Sequence, residues 1–376
     1  MERTFRSLSG QLQFSHPDEE PLLEALQRLD RSLKSEASLK PMGRLMAYAD
    51  LKRMLKNNFL VTRTIEDNPD MAAQTIRSPL FIVGMPRTGS SFLHNLLACD
   101  RQWRAPMYWE TLYPCPPTPA DAPDPKRVRS ARRDFGLFHL MAPAYRKIYM
   151  YGAMKAAECI AVMAMSFESP RFGFTYRVPS YWNWIQEHGV KGGYAFEYRF
   201  LQMLQSASPA LSWLLKAPAH MMHLRTLLEV FPDARIVFTH RHPSEVIPSI
   251  ASNTWTLRRV FSHRSSKTEV GAEELDRWLA GWQHTSSLRE NRRIQPDRYF
   301  DLLYHDLISD PMAAVDTIYR YFGLTLDEDS RQAMHTFLTE NRRNRHGKHH
   351  YTAEEYGLDN QTLSHHFADY IRQFSL

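Results

Sequence analysis

The sequence predicts an α/β fold in which a parallel sheet is flanked by helices and preceded by a helical N-terminal extension. Three observations predict it. Residues 79–84, PLFIVG, form a short continuous apolar run ending at a glycine, the composition of a strand buried on both faces. Residues 214–216 and 235–239, LLK and RIVFT, are further strand candidates separated by a helical segment at 219–230 that closes on Phe231-Pro232. Strand, helix and strand at that spacing make a βαβ unit, and a βαβ unit implies parallel strands. Before residue 79, Leu22, Leu26, Leu29 and Leu33 recur at helical spacing.

Taken in order, residues 1–78 read as helices. A second stripe, Leu45, Tyr48, Leu51 and Leu55, follows the first, and Pro21 and Pro41 stand at helix starts. After the strand at 79–84 comes a polar turn and then a helix carrying Phe92, Leu93, Leu96 and Leu97. Six prolines between 114 and 125 predict a loop, and 128–200 reads as mostly helical and crowded with aromatics and methionines. A last strand is expected at 299–304, before a helical C-terminus. No internal repeat interrupts this plan. The organisation is one α/β domain over 79–376, with the extension at 1–78 and a helical insertion at about 120–210.

A chain of 376 residues with 43% hydrophobic side chains can bury a large core, which excludes intrinsic disorder. Lys and Arg number 47 against 41 Asp and Glu, a net charge of +6 with 17 His in reserve. That balance suits a small anionic ligand and is too mild to require nucleic acid. The N-terminal residues lack a signal-peptide core, and the longest apolar stretch, 149–165, is interrupted by Lys155 and Glu158 and is too short to cross a bilayer. Cys99, Cys115 and Cys159 form no CxxC and no even-numbered framework, so a soluble cytoplasmic protein is expected.

The strand ending at Gly84 runs into Met85-Pro86-Arg87-Thr88-Gly89-Ser90-Ser91 and then a helix. The frame is GxxxxG in a strand–turn–helix context, a P-loop-like nucleotide-binding core. Backbone N–H groups at the helix start and the helix dipole favour an anion there. Gly89 permits close backbone approach, and Thr88, Ser90 and Ser91 offer hydroxyls. Ser90 stands where a Walker A loop has its lysine, and the positive charge falls instead on Arg87. The strand at 235–239 exits into His240-Arg241 and not into a carboxylate that could hold a metal.

Arg241 stands at the carboxyl end of that strand, and Ser249 follows about two helical turns later. Ligands of open α/β sheets bind outside the carboxyl ends of the strands, which places this pair to grip a second phosphate. Pro248 lies inside the same helical segment and is expected to kink it.

With these two anion sites, the sequence resembles the sulfotransferases that use 3′-phosphoadenosine-5′-phosphosulfate (PAPS), in particular the large, mostly bacterial branch whose loop reads PRTGTT. The resemblance rests on PRTGSS at 86–91 and on Arg241 with Ser249. Trp109-Glu110, WLLKAPAH at 213–220 and YHDLISDP at 304–311 support it. It spans about residue 79 to the C-terminus. The usual RDP reads Arg241-His242-Pro243 here, which loses a charge.

The resemblance implies a PAPS-dependent sulfotransferase with no metal cofactor and 3′,5′-adenosine bisphosphate as the donor's product. Arg87, Thr88, Gly89, Ser90 and Ser91 would hold the 5′-phosphosulfate, and Arg241 and Ser249 the 3′-phosphate. Tyr304 would contact the adenine, and Arg345 and Lys348 in the basic run at 342–351 would close over the 3′-phosphate. Arg87 and Lys216 are the cations expected to stabilise the moving group and the leaving phosphate. For the base, the cytosolic branch's histidine position holds Pro218 here. Glu110 resembles the glutamate base of the tyrosylprotein branch and is favoured over His220, four residues beyond Lys216. The resemblance also implies homodimers.

The aromatics and methionines between Trp103 and Phe200 suit an adaptable apolar pocket for a lipid or ring-bearing alcohol, and core packing accounts for much of the same pattern. The expected acceptor is therefore a small hydrophobic hydroxyl compound, without nucleic-acid partners or a transmembrane segment. Two rivals remain: a P-loop kinase or NTPase, and a nucleotide-binding interaction protein that has lost catalysis.

Overall fold

A computed structural model describes residues 2–12, 16–143, 152–208, 212–341 and 351–376. Its centre is a five-stranded sheet, β1 (Leu80–Gly84), β2 (Trp103–Arg104), β3 (Ser212–Lys216), β4 (Arg235–His240) and β5 (Tyr299–Leu303), in the order β2-β3-β1-β4-β5. Every neighbouring pair is parallel. The βαβ reading of β3 and β4 is correct in sense, but the two strands are not neighbours: β1 lies between them.

The sheet is covered on both faces, and the alternation of side chains shows it. Phe81, Val83, Trp213, Leu215, Ile236 and Phe238 join one buried cluster, while Leu80, Ile82, Leu214 and Val237 join another. Neither face is free for water, which is why these strands read as continuous apolar runs.

In chain order the helices used below are α1 (Glu2–Leu12), α2 (Glu19–Ser35), α3 (Pro41–Glu66), α4 (Ser90–Leu97), α5 (Tyr108–Leu112), α6 (Pro125–Met141), α7 (Lys191–Ala207), α8 (Pro243–Phe261) and α9 (Lys267–Glu290). Leu22, Leu26, Leu29 and Leu33 of α2 are all buried, as their spacing predicts. They belong to the same cluster as Phe81 and Val83 of β1, so the N-terminal helices and the sheet share one core.

The second stripe is only partly right. Leu51 and Leu55 are buried in α3, whereas Leu45 is exposed, because the buried face of the helix passes through Ala47 and not through Leu45. Three boundaries also differ from expectation. The segment after β3 begins with a 3-10 turn, Pro218–Met222, and only then a helix, Leu224–Val230. Tyr304 starts a helix and does not end β5. The edge strand β2 has two residues, too short for any periodicity to register. Pro248 is carried inside α8, which runs unbroken as a helix from Pro243 to Phe261.

Candidate active site

The carboxyl ends of β1, β3 and β4 lie side by side, and the site is assembled on them. Ile82 of β1 is in register with Lys216 of β3, and Gly84 with Thr239 of β4. Gly84 has φ +137°, and a Cβ there would lie 2.5 Å from the Thr239 carbonyl oxygen, so only glycine lets the loop leave between the two strands. The turn then passes through Arg87 at φ 70° and Gly89 at φ 87° before α4 begins at Ser90. A Cβ on Gly89 would come within 2.8 Å of Leu307 and 3.2 Å of Tyr304. The backbone of the turn therefore runs directly against the Tyr304–Ser309 helix.

Within this turn the hydroxyls do not behave alike. Thr88 is fully buried. Its Oγ1 donates to the Met85 carbonyl at 2.7 Å and shares a 2.6 Å hydrogen bond with Thr239 Oγ1. The Thr88 side chain pins the loop to β4, and the expectation that it offers a hydroxyl to a phosphate is corrected: it faces into the fold. Ser91 does face the site, and its Oγ accepts from Lys216 Nζ at 2.8 Å. Ser90 is buried at the first position of α4, where backbone N–H groups have no helical partner.

The residues expected to form a second anion site adjoin this turn. Arg241 donates through Nη1 to the Arg87 carbonyl at 3.3 Å, pairs through Nη2 with Glu245, and lies 4.2 Å over the Tyr304 ring. Its buried Nε has no hydrogen-bond partner among the described residues. Arg87 Nε donates to Ser249 Oγ at 3.2 Å. Arg87, Arg241, Ser249 and Tyr304 thus form one contiguous group beside the Gly89 turn, despite a separation of 162 residues between Arg87 and Ser249. Arg345 and Lys348 lie outside the described residues.

Neither expected base reaches this group. Glu110 is buried 2% exposed at the start of α5, where both carboxylate oxygens are engaged by Arg104, one of them by Arg104 Nη1 at 3.0 Å. Its Oε2 also accepts the Met107 backbone N–H at 2.8 Å. This is a buried, fork-bound carboxylate that closes a helix N-terminus, and the expectation that Glu110 takes a substrate proton is corrected on that ground.

His220 is buried too. Its Nδ1 lies 2.7 Å from the Tyr194 hydroxyl, its ring meets Phe81 edge-on, and its Nε2 has no partner among the described residues. Burial, then His223 and Lys216, pushes its pKa down to about 3, so it is neutral and points into the core. The second candidate is corrected for the same reason, namely position. His94 on α4 is likewise a core residue, its pKa pushed down to about 3 by burial and then by Lys216.

The carboxylate the structure brings to the site is Glu158, at the start of the short helix Cys159–Met163. It pairs with Lys216, which is itself buried at the end of β3. Glu158 also lines a cavity of about 520 Å³ that reaches from Pro86 of the loop and Pro218-Ala219 after β3 outward between α3, α6 and α8. Phe135, Phe138, Ile160, Phe174, Leu257 and Trp278 supply much of its wall, and Asp50 and Arg53 on α3 and Arg171 add a charged edge. The volume is that of a small-molecule site. Sequence reasoning passed over Glu158 as a mere interruption of an apolar run. A carboxylate inside such a run was the signal that could have found it.

Comparison with known proteins places the fold. The family model described as "Sulfotransferase family" matches residues 79–328, more than half of the chain. The crystal structure of sulfotransferase STF1 from Mycobacterium tuberculosis H37Rv superposes with a TM-score of 0.86 at 28% identity, over 98% of each chain. That of STF9 from Mycobacterium avium gives 0.85 at 25% identity, over 100% of this chain and 96% of the other. Among curated proteins, the omega-hydroxy-beta-dihydromenaquinone-9 sulfotransferase Stf3 of Mycobacterium bovis is 24% identical over 270 residues. That match takes in 65% of this chain and 63% of Stf3, so the chain aligns with under two thirds of the length of this relative. With a family match that takes in the whole sheet and the loop after β1, the chain belongs to the sulfotransferase family.

Proposed function

We propose that the protein transfers a sulfuryl group from PAPS to the hydroxyl of an apolar, lipid-like acceptor held in the cavity. The observation that carries this reading is the Lys216–Glu158 pair. Lys216 touches Ser91 on the phosphate-loop side, and Glu158 lines the cavity on the other. A cation and a carboxylate therefore stand between a nucleotide cradle and an apolar chamber, where transfer between two bound molecules would take place.

The residues fit the donor. The N–H groups at the start of α4 and the Ser91 hydroxyl would hold the 5′ end, while Arg241 and Ser249 would hold the 3′-phosphate, together with Arg87, which was expected at the 5′ end but bonds Ser249. The unpartnered buried Nε of Arg241 is an orphaned donor of the kind an anion satisfies. When bound, PAPS supplies the activated sulfuryl group on its 5′-phosphate. Lys216 places positive charge where the transferred group and the leaving phosphate become more negative. Glu158 accepts the proton from the acceptor hydroxyl as its oxygen attacks. Its attachment to Lys216 keeps it aimed. The apolar walls orient the acceptor and exclude water. A hydroxylated menaquinone, as in the name of Stf3, is a molecule of this chemical kind, a long apolar body with a hydroxyl.

Thermal-shift titration tests the donor half. We expect 3′,5′-adenosine bisphosphate without metal to stabilise the protein by about 2.7 kcal/mol at 100 times its Kd. Stabilisation by magnesium ATP alone would overturn the reading. Incubation with PAPS carrying radioactive sulfur, followed by organic extraction, tests the acceptor half, with label expected in the lipid-soluble fraction.

A further inference from the structure

Apolar side chains of large size are seldom left in water unless something covers them. Seven are exposed among the described residues, and five of them, Met42 and Leu45 on α3 and Leu137, Leu140 and Met141 on α6, lie on just two helices. Leu140 is 79% exposed and Leu45 65%. Both helices are walls of the cavity: Met46 and Ala49 follow Leu45 on α3, and Leu137 and Met141 flank Leu140 on α6. Arg53 and Asp134, 3.3 Å apart, tie the two helices together farther along. The exposed apolar group is thus continuous with the chamber.

On α6 and on residues 40–56 the exposed charge has one sign. On α6 the exposed side chains N-terminal to Leu137 include Lys126, Arg129, Arg132 and Arg133, and on α3 Arg44 and Lys52 are exposed. Neither α6 nor residues 40–56 carries an exposed carboxylate. Asp134 and Asp50 are half-buried and bound to arginines. Along α6, Arg129, Arg133, Leu137 and Leu140 follow at spacings of four, four and three, so a basic stripe runs into an apolar one on the same helical face. A helix that is basic at one end and apolar at the other, next to an open apolar chamber, complements an anionic bilayer surface: phosphates meet the arginines and acyl chains meet the leucines.

We infer that the α3–α6 rim is a membrane-docking face, which seats the mouth of the cavity on an anionic lipid surface so that a lipid acceptor enters without crossing water. This rests on the cavity being the acceptor site. Docking itself needs neither donor nor acceptor, so the two ideas fail separately.

The test is flotation of the full-length protein with phosphatidylcholine vesicles, with and without phosphatidylglycerol, in the absence of PAPS. The protein should float with the anionic vesicles and stay behind with the neutral ones. The variants R129E/R132E/R133E and L45E/L140E, none of them cavity or cradle residues, should each reduce binding about tenfold or more. Their melting temperatures and affinity for 3′,5′-adenosine bisphosphate should match those of the wild type. Failure of the wild type to float, or variants that float equally well, would overturn the inference. So would sedimentation showing that L45E/L140E converts a dimer to a monomer, since the face would then be a subunit contact.

Discussion

Lys216 and Glu158, 58 residues apart in sequence, form an ion pair that closes the inner end of the cavity and connects it to the phosphate loop through Ser91. The pair puts a carboxylate and a cation on the same small patch. The sequence points to Lys216 as a cation but assigns the carboxylate's role to Glu110 or His220.

Replacing the carboxylate should remove the base and leave the nucleotide cradle alone. Glu158→Gln is expected to lower kcat by about 10²-fold or more. Its Kd for 3′,5′-adenosine bisphosphate, measured by calorimetry, should stay within about twofold of the wild type. A wild-type kcat in this variant would exclude Glu158 as the base.

Glu110→Gln should do the opposite. It leaves Arg104 buried without its charged partner, and breaking a buried pair in this way costs roughly 3–5 kcal/mol. Thermal or urea unfolding should register that loss, and the protein that remains folded should keep most of its kcat.

Arg241→Ala and Ser249→Ala act on donor binding. Both should raise the KM for PAPS, the arginine variant by about ten- to a hundredfold given one charge-assisted contact to a phosphate, with a smaller change in kcat. A purely structural role would lower the melting temperature without changing KM.

The cavity offers a steric test. Ala161 lines it, and Ala161→Phe should raise the acceptor KM while binding of 3′,5′-adenosine bisphosphate is unaffected. Equal loss of both affinities would argue that the acceptor sits elsewhere.

One buried acid on α7 gives a pH signature. Burial pushes the Glu197 carboxyl up to about 7, against which its hydrogen bond with Cys159 acts only in part. Its pKa is raised above the unfolded value, so its contribution to stability is complete below the ordinary glutamate pKa and is lost as pH rises to about 7. The difference in unfolding free energy between wild type and Glu197→Gln should therefore fall by on the order of 3 kcal/mol across that window and level off above it. His220 and His223, held at about 3 and 4 by burial, contribute with the opposite sign in overlapping pH ranges, which is why the difference curve is the quantity to measure.

The sheet, the glycine turn after β1 and the position of Arg241 at the end of β4 were legible in the sequence because each is written locally. A strand buried on both faces is apolar through its middle, as 80–83 and 236–238 are, and a turn at positive φ packed against Leu307 and Tyr304 has room only for glycine at position 89. Fold class follows from such short windows. Which carboxylate faces the cavity does not. Glu110 and Glu158 are both acidic residues near helix starts, and nothing within a few residues of either says that Arg104 closes over one while Lys216 and an open chamber meet the other. That choice depends on how β2, β3 and the intervening helices pack side by side. Burial and partnership are properties of the assembled chain, and only the tertiary structure decided them.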